Sequence, residues 1–131
     1  MTLETMSPNP VWTADAYEDT VETLRAYDDV VYKVWAGDWC KDCRKQLPDF
    51  AAALDAAGVT GDRIEQFPVE RGDGEKVGPG VEEYGIEFIP TVVVERQGAE
   101  LFRYVEDADV PPSVFVAQRL EGASPTSGSE D

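Results

Sequence analysis

The chain contains no histidine, only two cysteines and only four lysines among its 131 residues. A structural zinc site commonly draws four ligands from cysteine and histidine. Two thiols and no imidazole cannot complete such a site within one chain. Two cysteines are also too few for a disulfide-stapled scaffold. A bridge between Cys40 and Cys43 would close a loop too short to add much stability. The longest apolar runs, TVVV and DVVY, fall far short of the roughly 20 residues that span a bilayer. The opening MTLETMSPNP has no basic stretch followed by an apolar core. These absences predict a soluble cytoplasmic protein with no membrane partner.

Positive charge is scarce as well. Lysine and arginine total 11 against 27 aspartates and glutamates, a net of −16. With no basic patch, nucleic acid and anionic lipid surfaces are not expected partners. The acids run from Glu4 to Asp131 rather than in one block. That spread favours adaptation to a salt-rich cytoplasm over an acidic tail or partner-binding face. Net repulsion destabilises a compact state at low salt. Salt near 1 M shortens its reach to about 3 Å.

The length suits one domain with a real core. Residues 1–10, with Pro8 and Pro10, read as a loose N-terminus. Val11–Trp12 reads as a short strand or a packing segment. Thr13 is placed to cap a helix over 14–27, with Tyr17, Val21 and Leu24 on one face. The β-branched and aromatic run VVYKVWA, 30–36, suits a central strand. A second helix is expected over 40–57, with Leu47, Phe50, Ala51 and Leu54 as its apolar stripe. Pro48 should kink it and Gly58 can end it. A strand is predicted over 64–69. The segment 70–80, with four glycines and a proline, reads as a flexible loop. A short helix over 81–84 ends at Gly85. A hairpin then pairs 91–96 with 100–105 through Gln97–Gly98, and Pro111–Pro112 open a last helix to about residue 120. The domain therefore spans 1–120, and 121–131 forms a disordered acidic tail. Alternating strands and helices followed by a hairpin and helix imply a layered α/β domain with a mixed sheet.

The chemistry centres on AGDWCKDCRKQLP, residues 36–48. It places Cys40 and Cys43 two residues apart, where a strand gives way to a helix. Unpaired N–H groups and the helix dipole at that junction favour an anion, so a thiol there is drawn toward the thiolate. The spacing lets the second sulfur reach the first. Cys40 would attack a disulfide and Cys43 would resolve the product. Lys41, Arg44 and Lys45 favour a Cys40 thiolate, whereas Asp38 and Asp42 oppose it. Two alternatives stay open: a metal or cluster shared between two chains, and a pair of incidental helix cysteines. Trp35 ends an apolar strand and reads as core.

The segment VVYKVWAGDWCKDC resembles the strand-to-active-site segment of the thioredoxin superfamily, with Trp39 just before the first cysteine. Pro48 matches the proline that kinks the active-site helix in that family. YGIEFIPTVVVERQGAE resembles its second hallmark, through Ile89-Pro90-Thr91 and the turn glycine Gly98. The resemblance covers residues 14–120. It implies an α/β thioredoxin-like fold, a central mixed β-sheet flanked by helices on both faces. It also implies a cis Pro90 facing the cysteines, with backbone beside it that binds an extended substrate segment. Trp39 would form the rim of that surface.

Two departures matter. Lys41-Asp42 stand where thioredoxins carry Gly-Pro, and a Trp-Cys-x-Asp-Cys motif resembles the small thioredoxin-related proteins, which choose substrates more narrowly. The family's buried aspartate, six residues before the first cysteine, aligns with Val34. That carboxylate assists deprotonation of the resolving thiol in the family, with Asp42 or a nearby glutamate as candidate substitutes here.

The resulting expectation is a thiol-disulfide oxidoreductase that reduces protein or small-molecule disulfides through Cys40 and Cys43. Trp39, Lys41 and Asp42 would tune the site, and Ile89, Pro90 and Thr91 would bind substrate. It would use no cofactor beyond the redox-active pair and no metal. A thiol or a disulfide reductase would supply electrons, and the protein would act as a monomer. The alternative is a binding or adaptor domain of the same fold with little turnover.

Overall fold

The computed structural model describes residues 4–72, 75–78, 80–105 and 110–123. Its organising element is β1, Val30–Ala36, the β-branched and aromatic run of the sequence. Beside it lies β2, Ile64–Pro68, in parallel; on its other side lies β5, Thr91–Arg96, antiparallel. The outer strand β6, Ala99–Val105, completes the order β2-β1-β5-β6. Gln97 and Gly98 make the tight turn between β5 and β6 with φ of 54° and 82°, the double left-handed geometry suited to a two-residue hairpin.

Among the described residues, four α-helices cover this mixed sheet: α1, Glu18–Ala26; α2, Lys41–Ala56; α3, Val81–Tyr84; and α4, Pro112–Ala123. Alternate strand residues face opposite ways, and their ring contacts identify which helix each side meets. Tyr32 meets Phe50 of α2, and Tyr104 meets Phe115 of α4. Trp35 instead lies between Phe67 and Tyr84 of α3. Helices α1, α2 and α4 contact one another, so the long helices share one face. The short α3 lies on the other. Leu24, Tyr32, Val34, Leu47, Phe50, Leu54, Val92 and Val94 fill the main core.

Several expectations need correction. The opening segment is not loose from residue 4 onward. Glu4–Met6 form a 3-10 turn against α2, and Thr5 and Met6 are buried. The Thr5 amide donates to Asp38 Oδ1 at 3.1 Å, and the Asn9 amide to the Pro48 carbonyl at 3.0 Å. Asn9 Nδ2 also donates to Asp49 Oδ1 at 2.7 Å. These are long-range contacts, invisible to local pattern reading. Val11–Trp12 form no strand; Trp12 stacks on Tyr17 at 5.2 Å. The helix expected over 14–27 begins as a 3-10 turn, Ala14–Tyr17, and becomes α only from Glu18. Thr13 precedes it without a side-chain capping bond.

The expected flexible loop 70–80 is an antiparallel hairpin where described. Its arms are β3, Glu70–Gly72, and β4, Glu75–Val77. Residues 73, 74 and 79 lie outside the described residues. Helix α4 runs to Ala123, and Glu121 accepts from Thr23 Oγ1 at 2.8 Å, so this helix continues past residue 120. The rest of the expected tail, 124–131, lies outside the described residues.

Candidate functional site

Strand β1 ends at Ala36 and delivers the chain to a short link before Cys40. Gly37 matters there because of space. A Cβ at Gly37 would stand 2.5 Å from Trp39 Nε1 and 2.9 Å from the Val69 carbonyl. Only glycine lets the Trp39 ring fold back over the link. Trp39 Nε1 donates to the Val69 carbonyl at 2.8 Å, and the Val69 amide donates to Ala36 O at 2.8 Å. The ring is thereby tied to the strand end, with 38% of the residue still exposed.

Cys40 occupies the N-cap of α2. Its amide donates to Gly37 O at 3.0 Å, and its sulfur accepts the Cys43 amide at 3.3 Å. An N-cap side chain ordinarily satisfies an orphan helix N–H in this way, and here the acceptor is a sulfur. The same thiol faces the Ile89 carbonyl at 3.9 Å. Ile89–Pro90 is a cis peptide bond, and the loop before β5 comes directly to the sulfur. Thr91 is buried, and its Oγ1 donates to the Phe88 carbonyl at 2.5 Å.

Cys43 lies one turn inside α2 and is fully buried. Both thiols are free. Burial pushes the Cys43 thiol well above the ordinary thiol range, and its hydrogen bond with Cys40 adds to the rise. The negative charge of Asp42 acts in the same direction. Lys41 and Asp42 themselves stand exposed on the first turn. Val34, two residues before the strand end, is fully buried between Gln66 of β2 and Val92 of β5.

The structure thus brings Cys40, Cys43, Trp39 and Ile89-Pro90-Thr91 to one end of the sheet. Lys41 and Asp42 border that cluster without entering it. Sequence reading missed Phe88, which is 51% exposed beside the cis peptide. It also missed the carbonyl of Val69, which holds Trp39. An aromatic residue directly ahead of Ile-Pro is the signal that marks Phe88; a backbone carbonyl leaves none. Among the described residues, no three His, Cys, Asp or Glu side chains converge to hold a metal ion. No helix there is long and apolar enough to cross a membrane.

No protein-family model matches the chain, and no curated protein does. Solved structures do. A thioredoxin from Halobacterium salinarum, in a point-mutant form, aligns over 95% of this chain and 97% of its own, at 20% identity and a TM-score of 0.52. The fold is thioredoxin-like. A protein of unknown function from Pseudomonas aeruginosa aligns over 85% of this chain and 79% of its own, at 20% identity and a TM-score of 0.56. At this identity the likeness speaks for the fold, and the chemistry rests on the residues of this chain.

Proposed function

We propose that this thioredoxin-like protein is a thiol-disulfide oxidoreductase that reduces disulfides of proteins or small molecules. One observation carries the reading. The Cys40 sulfur is held at the N-terminus of α2, with a helix amide on one side and the cis-Pro loop on the other. An attacking sulfur there meets a substrate backbone lying along residues 88–91.

The exchange balances without a bound cofactor. The Cys40 thiolate attacks one sulfur of the substrate disulfide. A Cys40–substrate bond forms, and the other substrate sulfur leaves as a thiolate. Cys43 then loses its proton and attacks Cys40 Sγ, releasing the second thiolate. Two electrons have passed to the substrate, and Cys40–Cys43 is the oxidised product. An external thiol or a disulfide reductase returns the pair to the dithiol. Burial raises the Cys43 pKa, which disfavours the thiolate that the second step needs. Trp39 forms the rim of the substrate surface, and Lys41 and Asp42 set the field around the pair. The dispersed acids support a salt-rich cytoplasm as the setting, with the protein acting as a monomer.

Trapping tests this directly. Cys43→Ser is expected to accumulate a mixed disulfide at residue 40 that wild type releases. Cys40→Ser is expected to form none and to lose turnover. Turnover that survives Cys40→Ser would falsify the mechanism. A second reading, a binding domain with little turnover, draws on the apolar Val34 and the raised Cys43. It predicts stable association with one partner that persists in Cys40→Ser.

A further inference from the structure

Four large apolar side chains stand out to solvent among the described residues: Val11, Tyr17, Trp39 and Phe88. Scattered exposed apolar residues are ordinary on a protein surface. Two of these are not scattered. Trp39 immediately precedes Cys40, and Phe88 immediately precedes Ile89, whose carbonyl faces the Cys40 sulfur at 3.9 Å. Neighbouring Cα atoms are about 3.8 Å apart, so each ring is rooted one residue from the contact that defines the site. Each is also carried on a hydrogen-bonded segment. Trp39 is tied through Nε1 to Val69, and the Phe88 carbonyl is engaged by Thr91 Oγ1. The first bond holds the Trp39 ring and the second holds only the backbone that carries Phe88; exposed aromatic residues on such fixed supports anchor interfaces.

Charge around the pair is divided. Glu87, next to Phe88, is exposed, and the stretch from Gly80 to Pro90 carries no base. The first turns of α2 carry exposed Lys41, Arg44 and Lys45 against Asp42 alone. A segment crossing Cys40 therefore meets negative charge on the Phe88 side and mostly positive charge on the helix side.

We infer that Phe88 is a specificity residue. With Trp39 it clamps an extended segment of a partner protein that carries a large apolar side chain beside its disulfide cysteine, and a cation on the Glu87 side. The inference rests on the exchange reading above. Phe88 makes and breaks no bond; it selects the disulfide that Cys40 meets. The apolar contact is insensitive to salt screening, whereas the contribution of Glu87 weakens as ionic strength rises.

The test is single-turnover reduction by pre-reduced protein in excess. Three disulfides are compared: hydroxyethyl disulfide, and two peptide mixed disulfides alike except at the residues beside cysteine. One peptide carries Phe-Lys there and the other Ser-Glu. Wild type is expected to favour the Phe-Lys peptide at least about tenfold, through a lower half-saturating concentration. Phe88→Ala is expected to erase most of that ratio, and Phe88→Leu to keep most of it. In 1 M KCl the Phe-Lys to Ser-Glu ratio should fall only in part, and Phe88→Ala should still remove most of what remains. An equal loss on both peptides in Phe88→Ala, or an unaltered ratio, overturns the inference. So does a wild-type dimer in sedimentation that Phe88→Ala converts to monomer, because Phe88 then serves a contact between copies. Wild type that reduces hydroxyethyl disulfide without discriminating the peptides sinks this inference alone. Wild type that reduces none of the three sinks the exchange reading with it.

Discussion

On the side of the long helices, β1 presents Val30, Tyr32, Val34 and Ala36, all fully buried. On the side of α3 it presents Val31, Lys33 and Trp35. The two faces come from alternate residues of one strand and have opposite chemistry. Beneath α2 the strand is apolar apart from the phenol of Tyr32, whose ionisation burial opposes. Beneath α3 it builds a charged cluster. Lys33 Nζ lies 3.2 Å from Glu95 Oε1 and donates to the Tyr84 hydroxyl at 2.9 Å. Tyr84 in turn donates to Glu95 Oε2 at 2.7 Å. These contacts hold Lys33 above its ordinary value, at about 12, with the Tyr84 hydrogen bond the largest cause.

The contrast explains the state of Cys43. Glu95 is buried, with 7% of its surface exposed, but it is committed to Lys33 and Tyr84. It pairs with Val31, at the far end of β1 from the cysteines. Four residues separate it from Thr91, about 14 Å along the strand. It therefore gives no help to a thiol on the opposite face. Cys43 instead shares the buried cluster that contains Val34, and burial raises its pKa.

Exchanging the chemistry of the faces should have the largest effect. Val34→Asp puts a carboxylate under α2. It is expected to cost about 3 kcal/mol or more in urea denaturation, because the new charge is buried without a partner. It is also expected to speed release of the Cys40 mixed disulfide at neutral pH at least about tenfold, as a local base would. Val34→Asn should destabilise without accelerating, which separates the base from mere disturbance. Equal release rates in Val34→Asp and wild type would remove Val34 from the explanation.

Disrupting the charged face comes next. Lys33→Ala leaves the buried Glu95 without its counter-charge, held by the Tyr84 hydroxyl alone, and is expected to cost about 3 kcal/mol of stability. The pH dependence of release should stay as in wild type, since the cluster faces away from Cys43. A displaced profile would show the two faces to be coupled.

Asp42→Asn should do least. Asp42 is exposed and raises Cys43 through its charge alone. Its removal is expected to move the release profile to lower pH by less than about half a unit, as befits a screened surface charge. Slower release would identify Asp42 as the proton acceptor instead.

Much of this contrast was legible in the residues. VVYKVWA could be read as a central strand because its β-branched and aromatic content suits one. Val34 stood out once the cysteine segment resembled thioredoxins. The Cys-x-x-Cys junction and Ile89-Pro90-Thr91 were legible as separated motifs that the fold brings together. The pairing of 70–72 with 75–77 was not, because these three-residue arms carry no alternating apolar pattern. The packing of residues 4–10 was hidden for another reason: its partners lie 33 and 40 positions away. The side chosen by α1 was equally hidden. No described strand precedes α1, so no crossover rule fixes its face. Phe88 carried a signal in its place ahead of Ile-Pro, but its exposure depends on the loop around it.

A buried Cys43 thiol whose ionisation is opposed by burial is the central feature, and release kinetics test it most directly. Pre-reduced protein is mixed with a chromogenic symmetric disulfide, and the second thiol released is followed from pH 6 to 10. The expected rate rises about tenfold per unit while Cys43 is mostly protonated. It should still be rising beyond about pH 8.5, the ordinary thiol value. A plateau below pH 7 would contradict a raised Cys43, and the absence of any second release would contradict exchange through the pair.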